Sequence, residues 1–169
     1  ENTDKYLYRV GNANAVELSS LFEARYGAEI GNVDVKIESL DTSADVAGTY
    51  AENNSDWTLG TIKFSGTGPV KVTISDTQTY GDANPVSLNL EVVNATNVTK
   101  YGELKNQNSV LLKDITMESG SFYLSNATLY GNGFIFDVTD GKISGESMSE
   151  NYLVSLTNAH LDNIKIVGK

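Results

Sequence analysis

Between residues 61 and 74 the chain reads TIKFSGTGPVKVTI. Ile62 and Phe64 share one side, and Lys63 and Ser65 the other. After a Gly-Thr-Gly-Pro break, Val70, Val72 and Ile74 resume the apolar side while Lys71 and Thr73 face away. Successive side chains of an extended chain point to opposite faces, so a two-residue apolar period marks a half-buried strand. Two such runs across a glycine-bearing break predict two strands joined by a tight connection. The same period recurs at Val33, Val35 and Ile37 and at Leu88, Leu90 and Val92. These four runs predict the core of a β-sandwich.

Shorter segments fill in around them. Tyr6, Tyr8 and Val10 alternate with Leu7 and Arg9 as a first strand, and Val16 and Leu18 suit a short second one. The SSLFEARYG stretch allows one helical turn capped by Ser19 or Ser20 and ending before Gly27. Residues 46–51 read as another short strand. Turn residues every ten or so positions complete the pattern of a sandwich over residues 1–95.

Composition then shifts. Residues 96–109 lie in a polar run without apolar period and read as a linker or docking segment. From 110 to 169 a loose repeat appears: LKDITM from Leu112, LSNATL from Leu124 and LTNAHL from Leu156. Asp114, Asn126 and Asn158 would occupy bends, where short polar side chains bond nearby backbone. Short strands punctuated by Asn and Gly predict a β-solenoid, the parallel β-helix kind, covering part of a domain. The steps of 12 and 32 residues are unequal. The first two copies therefore read as successive sides of one coil and not as stacked layers. The fold class expected is all-β: an immunoglobulin-like sandwich and a short C-terminal solenoid.

Two resemblances support this division. IKFSGTGPVKVTISD (62–76) followed by VSLNLEVV (86–93) resembles the immunoglobulin-like domains of bacterial cell-surface proteins. There a glycine-rich hairpin joins two late strands and the last strand ends at a linker. The Cys, Trp, Cys pattern of antibody domains is absent, so the likeness is architectural. LLKDITM, YLSNATLYGNGFIFDV and LVSLTNAHLDNIKIVG resemble the beginning of a pectate-lyase-like right-handed parallel β-helix. Together they imply a fragment of a large, modular exported protein. A shared fold does not carry an activity with it.

The formal charge of −10 disfavours nucleic acid, whose phosphates need Lys and Arg, and an anionic membrane surface. No apolar run approaches the roughly 18 residues of a membrane span. With no cysteine, thiolate chemistry, disulfides and Cys-based zinc sites are excluded. The chain opens at Glu1 without an initiator Met, which reads as a processed or excised segment.

Functional residues are few. His160, the single histidine, lacks a nucleophile context and reads as a surface residue. Asp137 and Asp140 flank a turn, with Glu146 and Glu150 in the next loop; paired carboxylates can cleave glycosides. Only Lys142 lies among them to handle an acidic sugar. Asp76 and Asp82, and separately Asp41, Asp45 and Asp56, lie in loops without the local run of oxygen ligands that calcium wants. Trp57, Tyr80 and Tyr130 are the aromatic candidates for ligand binding. No cofactor or metal is expected. The function expected is a non-catalytic module of an exported or cell-surface bacterial protein, for display, spacing or adhesion. Its partner would be a host or cell-surface protein or a glycan, with self-association through the C-terminal edge. The alternatives are the leading part of a β-helical polysaccharide-active enzyme and a carbohydrate-binding module.

Overall fold

A computed structural model describes residues 7–22, 33–43, 46–52, 59–76, 85–140 and 154–168. The protein is all-β, with two single 3-10 turns, Leu18–Ser20 and Tyr101–Glu103, among the described residues. It divides into two compact units, Glu1–Asn94 and Ala95–Lys169.

Among the described residues the first unit holds seven strands: β1 (Tyr8–Gly11), β2 (Val16–Glu17), β3 (Val33–Ser39), β4 (Ala47–Ala51), β5 (Thr61–Ser65), β6 (Gly68–Asp76) and β7 (Val86–Val93). One sheet runs β1-β7-β6-β3 and the other β2-β5-β4. All pairs are antiparallel except β1 with β7, where Tyr8 stands beside Leu90. The apolar period does what alternation demands: Ile62, Phe64, Val70, Val72, Leu90 and Val92 are all buried. The two sheets face each other closely where β4 meets β3. A Cβ on Gly48 would lie 2.5 Å from Ile37 Cδ1, so only glycine fits there without a shift.

The connection between β5 and β6 differs from expectation. The two strands do not pair as a hairpin: β5 lies between β2 and β4, and β6 between β3 and β7. The Gly-Thr-Gly-Pro break carries the chain from one sheet to the other. Gly66 takes φ +86°, a region costly to any residue with a Cβ, and Asn12 Nδ2 donates to its carbonyl at 3.3 Å. Alternation specifies which face is apolar, not which strand is the neighbour. A 3-10 turn spans Leu18–Ser20, upstream of the one that a Ser19 or Ser20 cap would begin; Ser20 Oγ donates back to Glu17 O at 2.6 Å, no side chain caps its start, and residues 23–26 of the predicted turn lie outside the described residues.

The second unit contains β8 (Thr96–Val98), β9 (Ser109–Leu111), β10 (Ile115–Thr116), β11 (Phe122–Ser125), β12 (Thr128–Tyr130), β13 (Ile135–Asp137), β14 (Val154–Thr157), β15 (His160–Asp162) and β16 (Lys165–Val167). Every pair among its described residues is parallel. The sheets run β15-β12-β9-β8, β10-β13-β16 and β11-β14. The chain therefore returns to each sheet coil after coil, later strands pairing with earlier ones. Ser109 stands on Thr96, Leu129 on Ser109 and His160 on Thr128, steps of 13, 20 and 32 residues. The inward positions form one core around Leu111, Leu124, Leu129 and Phe136, with Phe122 set edge-on to Phe136 at 5.5 Å.

Two expectations meet this arrangement. Residues 96–109 are not a linker. They contribute β8, the turn Tyr101–Glu103 and the start of β9 to the second unit. Each of these strands is so short that an apolar period has no room to show. The repeat splits as its spacing implied: Leu124 pairs with Leu156, while Ile115 of the first copy pairs with Phe136 in another sheet.

Candidate functional site

Asparagine supplies the bends before β12, β13, β15 and β16. Asn126 and Asn158 both adopt the left-handed conformation, φ 52° and 49°, as do Asn132 and Asn163. Asparagine tolerates this region better than other residues with a side chain. Side-chain oxygens from one coil also accept main-chain N–H groups of the next. Asn106 Oδ1 accepts from Ser125 at 2.7 Å, Asn108 Oδ1 from Thr128 at 2.9 Å and Asp114 Oδ1 from Ile135 at 2.8 Å. Asn132 Nδ2 donates the other way, to Leu111 O at 2.9 Å. Sequence reasoning placed Asp114, Asn126 and Asn158 at bends. It missed Asn106 and Asn108, whose signal was only their polarity just before a strand.

On the outer side of this bend lies an open groove of about 580 Å³. Asn108, Asn126, Asn158, Thr128 and His160 line it, with Ala127 and Ala159 as small neighbours. Thr128 and Tyr130 share the outward face of β12, and His160 and Asp162 that of β15, paired Thr128 with His160 and Tyr130 with Asp162. His160 is exposed and Tyr130 half-buried. Amide, hydroxyl and imidazole groups offer both donors and acceptors. The groove lining itself carries no carboxylate or ammonium group. It can hold a neutral polar ligand by hydrogen bonding.

Of the aromatic candidates, the structure describes Tyr130 alone; Trp57 and Tyr80 lie outside the described residues. So do Glu146, Glu150 and Lys142, and Asp45, Asp56 and Asp82. Asp137 Oδ1 accepts the N–H of Thr139 at 2.8 Å, holding the turn that follows β13. Asp41 Oδ1 accepts from both the N–H and the hydroxyl of Ser43, at 2.8 and 2.7 Å, and these bonds hold its carboxyl below the usual range. Among the described residues no three acidic, histidine or cysteine side chains gather as metal ligands.

Two further depressions, of about 410 and 420 Å³, contain acids. Glu17 and Glu52 line one; Asp114, Glu118 and Lys100 line the other. In the second, Asp114 is already engaged with the Ile135 amide, and Lys100 approaches Glu103 at 3.9 Å. Among the described residues, no buried side-chain nitrogen or oxygen lacks a hydrogen-bond partner. No described helix is long and apolar enough to cross a membrane.

The structure thus defines an all-β protein of two units, the described strand pairs being mostly antiparallel in one and parallel in the other. Comparison with protein-family models, characterised proteins and solved structures finds no match.

Proposed function

We propose that the chain is a non-catalytic module of an exported or cell-surface bacterial protein, serving display, spacing or adhesion. The observation that carries this reading is the use made of its polar side chains. Asn106, Asn108, Asp114 and Asn132 each bond a main-chain group of another coil, holding the stack together. Groups used in this way support a scaffold more than a reaction. The strand orders agree with the reading. With β1 to β7 taken as A to G, sheets β1-β7-β6-β3 and β2-β5-β4 match an immunoglobulin-like sandwich whose first strand crosses to the opposite sheet. The all-parallel ladders match a short β-solenoid.

Its partner would be a surface protein or a glycan. The neutral groove beside Asn126 and His160 favours a second reading within the same role, binding of a neutral carbohydrate. The test joins binding to turnover. The protein is expected to bind cells or a glycan array while releasing no reducing or unsaturated ends from a panel of polysaccharides. Release of such products would reject the scaffold reading and favour the leading part of a β-helical polysaccharide-active enzyme.

A further inference from the structure

The chain has one Asn-Gly pair, Asn132-Gly133, at the bend between β12 and β13. Asparagine before glycine is the pairing in which a chain most readily attacks its own side chain. The main-chain nitrogen of the second residue reaches the carboxamide carbon, and glycine has no Cβ to obstruct it. Asn126 and Asn158 precede alanine and Asn163 precedes isoleucine, so the same attack is hindered there. Asn132 is half-buried and Gly133 exposed, so water reaches the pair.

In the closed fold both reacting groups are engaged. Gly133 N–H donates to Asn163 O at 2.6 Å, and Asn132 Nδ2 donates to Leu111 O at 2.9 Å. The nucleophile is thus held by the next coil and the leaving group by the previous one. Bonds on either side fix the bend: Gly131 N–H donates to Asp162 O at 2.7 Å, and Phe134 N–H to Gly131 O at 2.8 Å. Asn132 and Gly133 sit at φ 51° and 81°. The Asn163 side chain also lies over Gly133, its Nδ2 3.7 Å from where a Cβ would stand.

We propose that Asn132 is a self-modification site gated by the coil that carries Asn163. Surface bends open locally at lower cost than global unfolding. When the bond from Gly133 N–H to Asn163 O opens, the Gly133 nitrogen attacks Asn132 Cγ. The N–Cγ bond forms, the Cγ–Nδ2 bond breaks, and ammonia leaves with the amide proton. Water then opens the five-membered succinimide at either carbonyl, leaving aspartate or isoaspartate at position 132. Neither product restores the bend. A carboxylate has no N–H for Leu111 O and sets oxygen against oxygen there. Isoaspartate adds a carbon to the main chain and breaks the match with Asp162 and Asn163. The change is one-way, so the site records how often this coil has opened.

The inference goes beyond the scaffold reading and does not depend on it. Its test follows deamidation at residue 132 by peptide mass mapping of the full chain at mildly alkaline pH. In concentrated urea Asn132 is expected to react first among the asparagines. In buffer the same reaction is expected to be at least tenfold slower, because it waits on the open state. Gly131→Ala, whose new Cβ would lie 2.6 Å from Asn163 O, is expected to raise the rate in buffer at least fivefold and leave that in urea unchanged. If that variant loses its β-sheet circular dichroism, amide hydrogen exchange decides. Asn132→Asp, which mimics one product, is expected to speed exchange at Gly133 at least tenfold while leaving Leu90 of the first unit unchanged. Equal rates in buffer and urea, no reaction at residue 132 in urea, a parent-like buffer rate in a folded Gly131→Ala, or parent-like exchange of Gly133 in Asn132→Asp would each overturn the gated site.

Discussion

Asn158 Nδ2 donates to Asn126 Oδ1 at 2.7 Å, across 32 residues of chain, and both residues sit in the left-handed conformation. Each bend is thus held twice, by a backbone that asparagine tolerates and by an amide bridge to the next coil. Asn126→Ala is expected to lower stability by about 2 kcal/mol, part from the left-handed backbone and part from the lost bond. Asn126→Gly keeps the backbone and loses the bond, so it is expected to cost about half as much. Urea midpoints of the two variants check the split. Equal losses would place the whole effect in the amide bridge.

Gly131 and Gly102 make a matched pair. A Cβ on Gly131 would lie 2.6 Å from Asn163 O and 2.7 Å from Ile164 Cα, whereas one on Gly102 meets nothing within 4 Å. Gly131→Ala is expected to destabilise by about 1–3 kcal/mol, because the next coil must move away. Gly102→Ala is expected to stay within about 0.5 kcal/mol of the parent. Thermal melts of both variants would show whether the coils approach as closely as Gly131 allows.

The core of the second unit is graded along its stack. Phe136 is fully buried, edge-on to Phe122 and stacked at 6.1 Å on Tyr101. Phe136→Ala is expected to cost about 3–5 kcal/mol. Leu156→Ala, at a side chain left 44% exposed, is expected to cost under about 1.5 kcal/mol. Chemical denaturation at low protein concentration measures both.

Glu38 and Asp41 both have carboxyls held below their ordinary values, for different reasons. Glu38 is lowered first by its hydrogen bond from Lys36, at 2.8 Å, and then by the charge of that lysine. Asp41 is lowered by the hydroxyl and N–H of Ser43. A depressed folded-state pKa stabilises above the unfolded value, and that contribution is lost as pH falls through the folded value. The window therefore lies at and below the ordinary values of 4.5 for Glu38 and 3.8 for Asp41. Both side chains reach solvent, so the effect on folding is small. Carboxyl NMR titration is expected to show Glu38 moving back towards 4.5 in concentrated salt, because its partner is charged. Asp41, held by neutral donors, is expected to move less. An opposite order would reject the assignment of causes.

Tyr8 is pushed up to about 12 by burial. The folded state therefore favours the neutral phenol. The associated stability is complete below pH 10, the ordinary value, and declines as pH rises towards 12. Ultraviolet titration is expected to show tyrosine ionisation extending above pH 10, to which Tyr101, also raised by burial, contributes, and Tyr8→Phe is expected to remove the step near pH 12.

The candidate groove was only partly visible in the chain. Asn126 and Asn158 declared themselves through the repeat, whereas Tyr130, singled out for its aromatic ring, does not line the groove. His160 read as an exposed residue of the repeat, and exposed it is. Nothing in the sequence brought Asn108 to the same groove, because it lies outside the repeat. Its place comes from the 20-residue step between β9 and β12.

Local chemistry alone determined that this chain is built of strands. Every second residue in runs such as 61–65 and 86–93 had to find a common apolar side, and asparagine and glycine marked where the chain could bend. Only the tertiary structure decided which strands became neighbours. It took β5 and β6, adjacent in sequence, into different sheets, and it made a coil out of the polar stretch 96–109. Alternation is a property of single side chains against water, whereas pairing depends on which distant main-chain groups arrive opposite. Loop closure over 13 or 32 residues differs little in entropy, so coil length leaves little trace in the sequence.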